Sequence, residues 1–183
     1  MGSSRKAGER LLSFMFDVRA RGAQGALQAL NLGSLVGRPI EEIFLGLADY
    51  VCPEGGQVDE GIARDAFVET IVDLANVGIT DLDALTADQV QTVFELYATH
   101  AIEARICNDI GMKMVTLPAD VRAVEAVQAQ LRDFVRRAVG DAFSLASAAL
   151  QALTPDVVIG FVDQVYQVAF EILRTLGEAE ATG

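Results

Sequence analysis

Residues 51–70 read VCPEGGQVDEGIARDAFVET: a Cys52-Pro53-Glu54-Gly55-Gly56 turn, then a run dense in charge. Asp65, Glu69 and Asp73 stand four residues apart, so a helix lines three carboxylates along one face. Joined by His100, those acids would be the start of a carboxylate metal enzyme in a helical bundle. Glu60 and Arg64, also four apart, can pair with each other. Like charges at this spacing repel by about a few tenths of a kcal/mol per pair. The stripe is therefore answered by bases from another helix or a partner, or it is screened by water and salt. A second cluster, Glu103, Arg105, Asn108 and Asp109, falls where its helix is apolar over the widest arc. Charges near a core are paired, so Glu103, Arg105 and Asp109 read as a structural polar network.

The chain holds one histidine, His100, five residues after Glu95, whereas a di-iron bundle needs Glu-x-x-His on two helices. A hydrogen-bonded histidine inside the bundle is the expectation. Gly55-Gly56 lacks the lysine and the preceding strand of a phosphate loop. Asp81, Asp83 and Asp88 lack the glycine and closing glutamate of a calcium loop and read as a helix-capping acidic loop. The serines carry no nucleophile-elbow motif. Arg132, Arg136 and Arg137 form a solvated basic patch, with Asp133 placed to neutralise Arg137. Cys52 and Cys107 read as reduced thiols of a cytoplasmic protein. The expectation is a chain without catalytic residues, metal ligands or cofactor.

The elements that must position these residues are helices almost throughout. Ile40, Ile43, Phe44, Leu47 and Val51 make a clean amphipathic face after Arg38-Pro39. Val58, Ile62, Ala66, Phe67, Ile71, Leu74 and Val77 make the next, ending at Gly78. Thr86-Ala87-Asp88-Gln89 spells a capping box. It opens a helix apolar on two sides, through Val90, Val93, Phe94, Tyr97 and Ala101 and through Leu96, Ile102, Ile106 and Ile110. Leu117-Pro118 and Thr154-Pro155 start two more helices, running to Ala149 and Leu176. No strand pattern, internal repeat or linker interrupts them. The sequence predicts an all-α, single-domain bundle of about six helices. Its expected divisions are a basic N-terminal arm or helix over 1–22, a core over 23–177 and a flexible tail over 178–183.

Composition narrows the function classes. Of 183 residues, 51% are hydrophobic and 22% charged, which fits one folded domain. Mean hydropathy is +0.32, an apolar excess that favours a partner surface or a self-interface. A net charge of −12 argues against direct nucleic-acid binding, which needs a basic face. No apolar run reaches membrane-spanning length, and Leu11 to Phe16 is too short for a secretory signal. Met1-Gly2 suggests myristoylation, but Lys6 stands where that pattern wants Ser or Thr. MGSS at 1–4 also reads as an expression leader.

Three segments carry a resemblance: VCPEGGQVDEGIARDAFVETIVDL, DALTADQVQTVFELYATHAIEARICNDIG and VQAQLRDFVRRAV. Over roughly residues 25 to 176 the chain resembles the helical C-terminal region of the QatB family, the B components of the Qat anti-phage defence systems. The resemblance implies a non-catalytic protein working beside an ATPase, a QueC-like enzyme and a TatD-like nuclease. It implies a longer Gly/Ser-rich N-terminal segment in full-length members, of which this chain would be the core. By analogy with related defence systems it also implies that the protein partners the QueC-like enzyme and offers its N-terminal glycine, here Gly2, as substrate. A structural homo-oligomer is the alternative.

Partner contact is expected at Glu60, Arg64, Asp65 and Glu69, and on the N-terminal helix at Phe14 and Phe16. Leu11, Leu12, Phe14, Met15 and Phe16 ring that helix almost completely, more than one bundle face would cover. Each large side chain left wet forgoes about 1.5–3 kcal/mol, so the surplus is expected against another chain, unless the domain's own core takes both sides.

Overall fold

The computed structural model describes residues 2–53, 55–112, 129, 132–133, 135–141, 144, 164 and 167. Among these residues there are helices and turns and no strand. The protein is all-α, as its periodicity predicts. The chain divides into two compact units, 1–101 and 102–183.

The first unit is built from α1 (Gly2–Ala29), α2 (Ile40–Val51), α3 (Val58–Asn76) and the first half of α4 (Ala87–Met112), with a 3-10 turn at Gly33–Leu35. Helices α1, α2 and α3 pack against one another. The predicted α2 face is buried at Ile40, Ile43, Phe44, Leu47 and Val51. On α3 the buried face is Ile62, Ala63, Ala66, Phe67, Thr70, Ile71 and Leu74. Val58, expected on that face, is 67% exposed, because it sits on the far side of the first turn. Phe44 stacks on Phe67 with ring centroids 5.9 Å apart, and Phe67 meets the edge of Tyr97 at 6.5 Å. This aromatic chain ties α2, α3 and α4 together.

The N-terminal helix departs from its expected exposure. Leu11, Leu12, Phe14 and Met15 are all buried, and only Phe16 is half-exposed. Neighbouring helices cover more than one of its sides. The Tyr97 hydroxyl of α4 donates to the Ser4 carbonyl at 3.0 Å, and the Asp59 carboxylate of α3 accepts from the Ser3 N–H at 2.8 Å. Phe14 is therefore core and not an exposed anchor.

Helix α1 breaks at Gly22, whose φ of 78° and ψ of 161° are open essentially to glycine alone. The break frees the Ala23 N–H, and Asp83 accepts it at 2.6 Å. The acidic loop before α4 thus caps a helix, as expected, but the helix it caps lies 60 residues away. Asp83 is set by a local turn in which its own N–H reaches the Asp81 carboxylate at 2.9 Å. The predicted box at α4 is formed: Thr86 N–H to Gln89 Oε1 at 3.0 Å and Gln89 N–H to Thr86 Oγ1 at 3.1 Å.

In the second unit the described stretch 135–141 is helical and buries Val135, Ala138 and Val139, one helical face. Residues 129, 132–133, 144, 164 and 167 are helical too, and the rest of the helices expected over 117–149 and 154–176, with the tail at 178–183, lies outside the described residues.

Candidate functional site

The turn after α2 and the start of α3 gather several charged side chains of the first unit. Helix α2 ends there with its last carbonyls at the negative pole, and no basic residue stands in its own last turn. Arg10 of α1 donates to the Val51 carbonyl at 3.3 Å, and Arg64 of α3 donates to the Cys52 carbonyl at 3.1 Å. Two guanidiniums from different helices thus replace a local cap. Arg64 also meets Asp49 Oδ1 at 3.0 Å through both terminal nitrogens.

Glu60 is used elsewhere. It accepts the Gln57 N–H at 3.0 Å, its half of a capping box with the Gln57 side chain. Gly55 lies where any side chain would run into that carboxylate. The expected Glu60–Arg64 pair is therefore not made: Glu60 curls back over the turn while Arg64 reaches to the end of α2.

Cys52 sits beneath this turn, buried, with its Sγ 3.4 Å from the Ala63 carbonyl. Burial pushes its thiol up to about 12, against the smaller opposing pull of Arg64 and Arg10. A thiol so placed is protonated at neutral pH and is a packing group, not a nucleophile. A cavity of ≈ 160 Å³ opens beside it, lined by Ser3, Lys6, Arg10 and Glu60 among others. A shallower one of ≈ 400 Å³ lies under the turn between Pro53 and Arg64.

The three acids of α3 have separate fates. Asp73 meets the His100 Nε2 at 2.9 Å, and that ring is only 10% exposed. His100 is thus the hydrogen-bonded histidine its sequence context suggests. Asp65 and Glu69 point to solvent. Among the described residues no three His, Cys, Asp or Glu side chains gather as a metal ion would require. Beside Asp65 and Glu69 the outer side of α3 carries Val58, Val68 and Val72, exposed by 67%, 41% and 62%. Sequence reasoning missed this feature: it placed Val58 on the buried face and gave Val68 and Val72 no role.

In the second unit Glu103 is buried and takes a two-point grip from Arg132, Nε to Oε2 at 2.8 Å and Nη2 to Oε1 at 3.2 Å. Arg132, taken from the patch read as solvated, thus pairs with Glu103 of the expected network. The Asp109 side chain lies outside the described residues. Arg136 and Arg137 are exposed, and Arg137 donates to the Asp133 backbone carbonyl at 3.2 Å, not to its carboxylate.

Most of these described polar groups are spent on capping helices and pairing buried charge, and an exposed face of mixed valine and acid is left over. The class these features define is an all-α protein. The chain belongs to the QatB family: the model of the Qat anti-phage system associated protein QatB matches residues 1–173. The match takes in α1 as well as the segments from residue 25 onward that carry the resemblance in sequence. No curated protein and no solved structure matches. The protein is therefore a component of an anti-phage defence system. None of its described helices is long and apolar enough to cross a membrane.

Proposed function

We propose that the chain is a non-catalytic, cytoplasmic member of its Qat system that binds a QueC-like enzyme and presents its N-terminus, at Gly2, as that enzyme's substrate. The observation that carries the binding role is the outer side of α3. Val58, Val68 and Val72 stand exposed beside Asp65 and Glu69 in a helix whose opposite side already fills the core. Contiguous exposed apolar area flanked by charge is what protein partners cover. The family's place in a multi-component defence system supplies the candidate partner.

The N-terminus is compatible with the substrate role. Gly2 is exposed at the start of α1, and the first turn is held by Asp59 on the Ser3 N–H and by Tyr97 on the Ser4 carbonyl. The test is co-elution of this protein with the QueC-like enzyme of the same system, followed by intact-mass measurement with that enzyme's nucleotide and base substrates. Co-elution and a mass gain confined to the peptide holding residue 2, abolished by Gly2→Pro, are expected. Separate elution at micromolar concentration defeats the partner reading. Co-elution without a mass gain defeats the substrate role alone.

A further inference from the structure

Helix α3 carries a second seam. Val58, Gly61, Asp65, Val68, Val72 and Ala75 are all exposed, and their spacing alternates three and four residues. At 100° per residue they fall within an arc of roughly 100°, opposite the buried face. Such a spacing lays one helix along another over several turns. Gly61 lies inside the helix, where glycine weakens it, and apart from the adjoining backbone of α3 no atom lies within 4 Å of where its side chain would begin. A flat spot of this kind admits a close neighbour.

We propose that this seam docks a basic amphipathic helix from a partner protein, its apolar stripe on the valines and its lysines or arginines over Asp65 and Glu69. Charge selects this occupant over a second copy. Asp65 lies in the seam and Glu69 at its edge, both exposed and neither paired with a described residue. Two copies meeting through the seam would bring those acids together, on chains that each carry a net charge of −12. A basic helix answers both acids and buries Val58, Val68 and Val72 as its i, i+3, i+4 stripe requires.

This deepens the partner reading above and rests on it, and its test does not need the QueC-like enzyme. A helical peptide of about three heptads, with leucines at the seam positions and lysines on the flanks, is titrated into the full chain by fluorescence anisotropy, beside a version with glutamates for the lysines. The lysine peptide is expected to bind at least about tenfold more tightly, with the gap closing at high salt. Val68→Ser with Val72→Ser weakens it about tenfold or more, and Asp65→Lys with Glu69→Lys reverses the preference. These substitutions lie at exposed positions and leave the melting temperature in place. Failure of both peptides to bind, equal affinity for the two, or binding that ignores the valine substitutions overturns the proposal. So does a dimer in sedimentation equilibrium that dissociates on Val72→Ser, which gives the seam to a second copy. A chain that takes the lysine peptide but not the QueC-like enzyme keeps the seam and loses that partner. Enzyme binding indifferent to the valine substitutions does the opposite.

Discussion

The Tyr97 hydroxyl and the Ser4 carbonyl meet at 3.0 Å, a buried hydrogen bond between residues 93 apart. The phenol ring is already fixed against Phe67, so its hydroxyl arrives at α1 with little freedom left to lose. Tyr97→Phe keeps the ring and removes the donor, and should lower unfolding free energy by about 0.5–1.5 kcal/mol. Urea unfolding checks it; an unchanged midpoint would show that the contact contributes nothing.

Phe14 and Phe16 should behave differently when each is replaced by serine. Phe14 is 2% exposed, and its loss opens a cavity lined by neighbours that cannot fully close, for a cost of about 3 kcal/mol or more. Phe16 is half-exposed, and its replacement should cost roughly half as much or less. Denaturant midpoints of the two single variants decide the matter. Similar losses would contradict the burial pattern.

Gly22 and Asp83 act as one device. Gly22→Ala forces a side chain into a region of backbone space kept for glycine and should cost about 1–3 kcal/mol. Asp83→Ala removes the acceptor for the Ala23 N–H and should cost about 1 kcal/mol, with loss of ellipticity from the second part of α1. The double variant should lose less than the sum, since both act on one helix end. Thermal melts followed by circular dichroism test all three.

Cys52 should resist alkylation at pH 8 in the folded protein and react only on unfolding, because burial holds its thiol near 12 against an ordinary value of 9.0. The sign of its linkage follows. Between about pH 9 and pH 12 the unfolded chain sheds the proton and the folded chain keeps it, so the native state loses stability as pH rises through that window. Below it this group contributes no pH dependence. Cys52→Ala should flatten that part of the stability profile, measured by urea unfolding at successive pH values.

What could be read in advance was the local pattern. The α2 face and the Thr86–Gln89 box involve residues at most a few turns apart, and periodicity or cap chemistry reveals both. The Gln57–Glu60 box escaped because glutamine is an unusual residue at a helix start. Val58 was misplaced because its apolar character fits the inward run, while the winding of the first turn carries it outward. The remaining errors were partners chosen over long range. Nothing near Glu103 in the chain announces Arg132, 29 residues on, or turns Arg64 from Glu60 towards the end of α2. The apolar ring of α1 was legible, but whether its cover came from this chain or another depends on topology that periodicity does not encode.

The break in α1 also bears on the order in which the chain folds. The segment after Gly22, Ala23 to Ala29, spans fewer than two turns, far short of what stands alone in water. Its cap comes from Asp83, so α3 and the loop that follows must already be in place before those turns are held. Residues ahead of the break need no such wait for their own helical bonds. The broken helix therefore joins a segment able to nucleate early to one that can only close late, and substitutions at Ala26 and Leu27 should appear mainly in the unfolding rate and hardly in the folding rate.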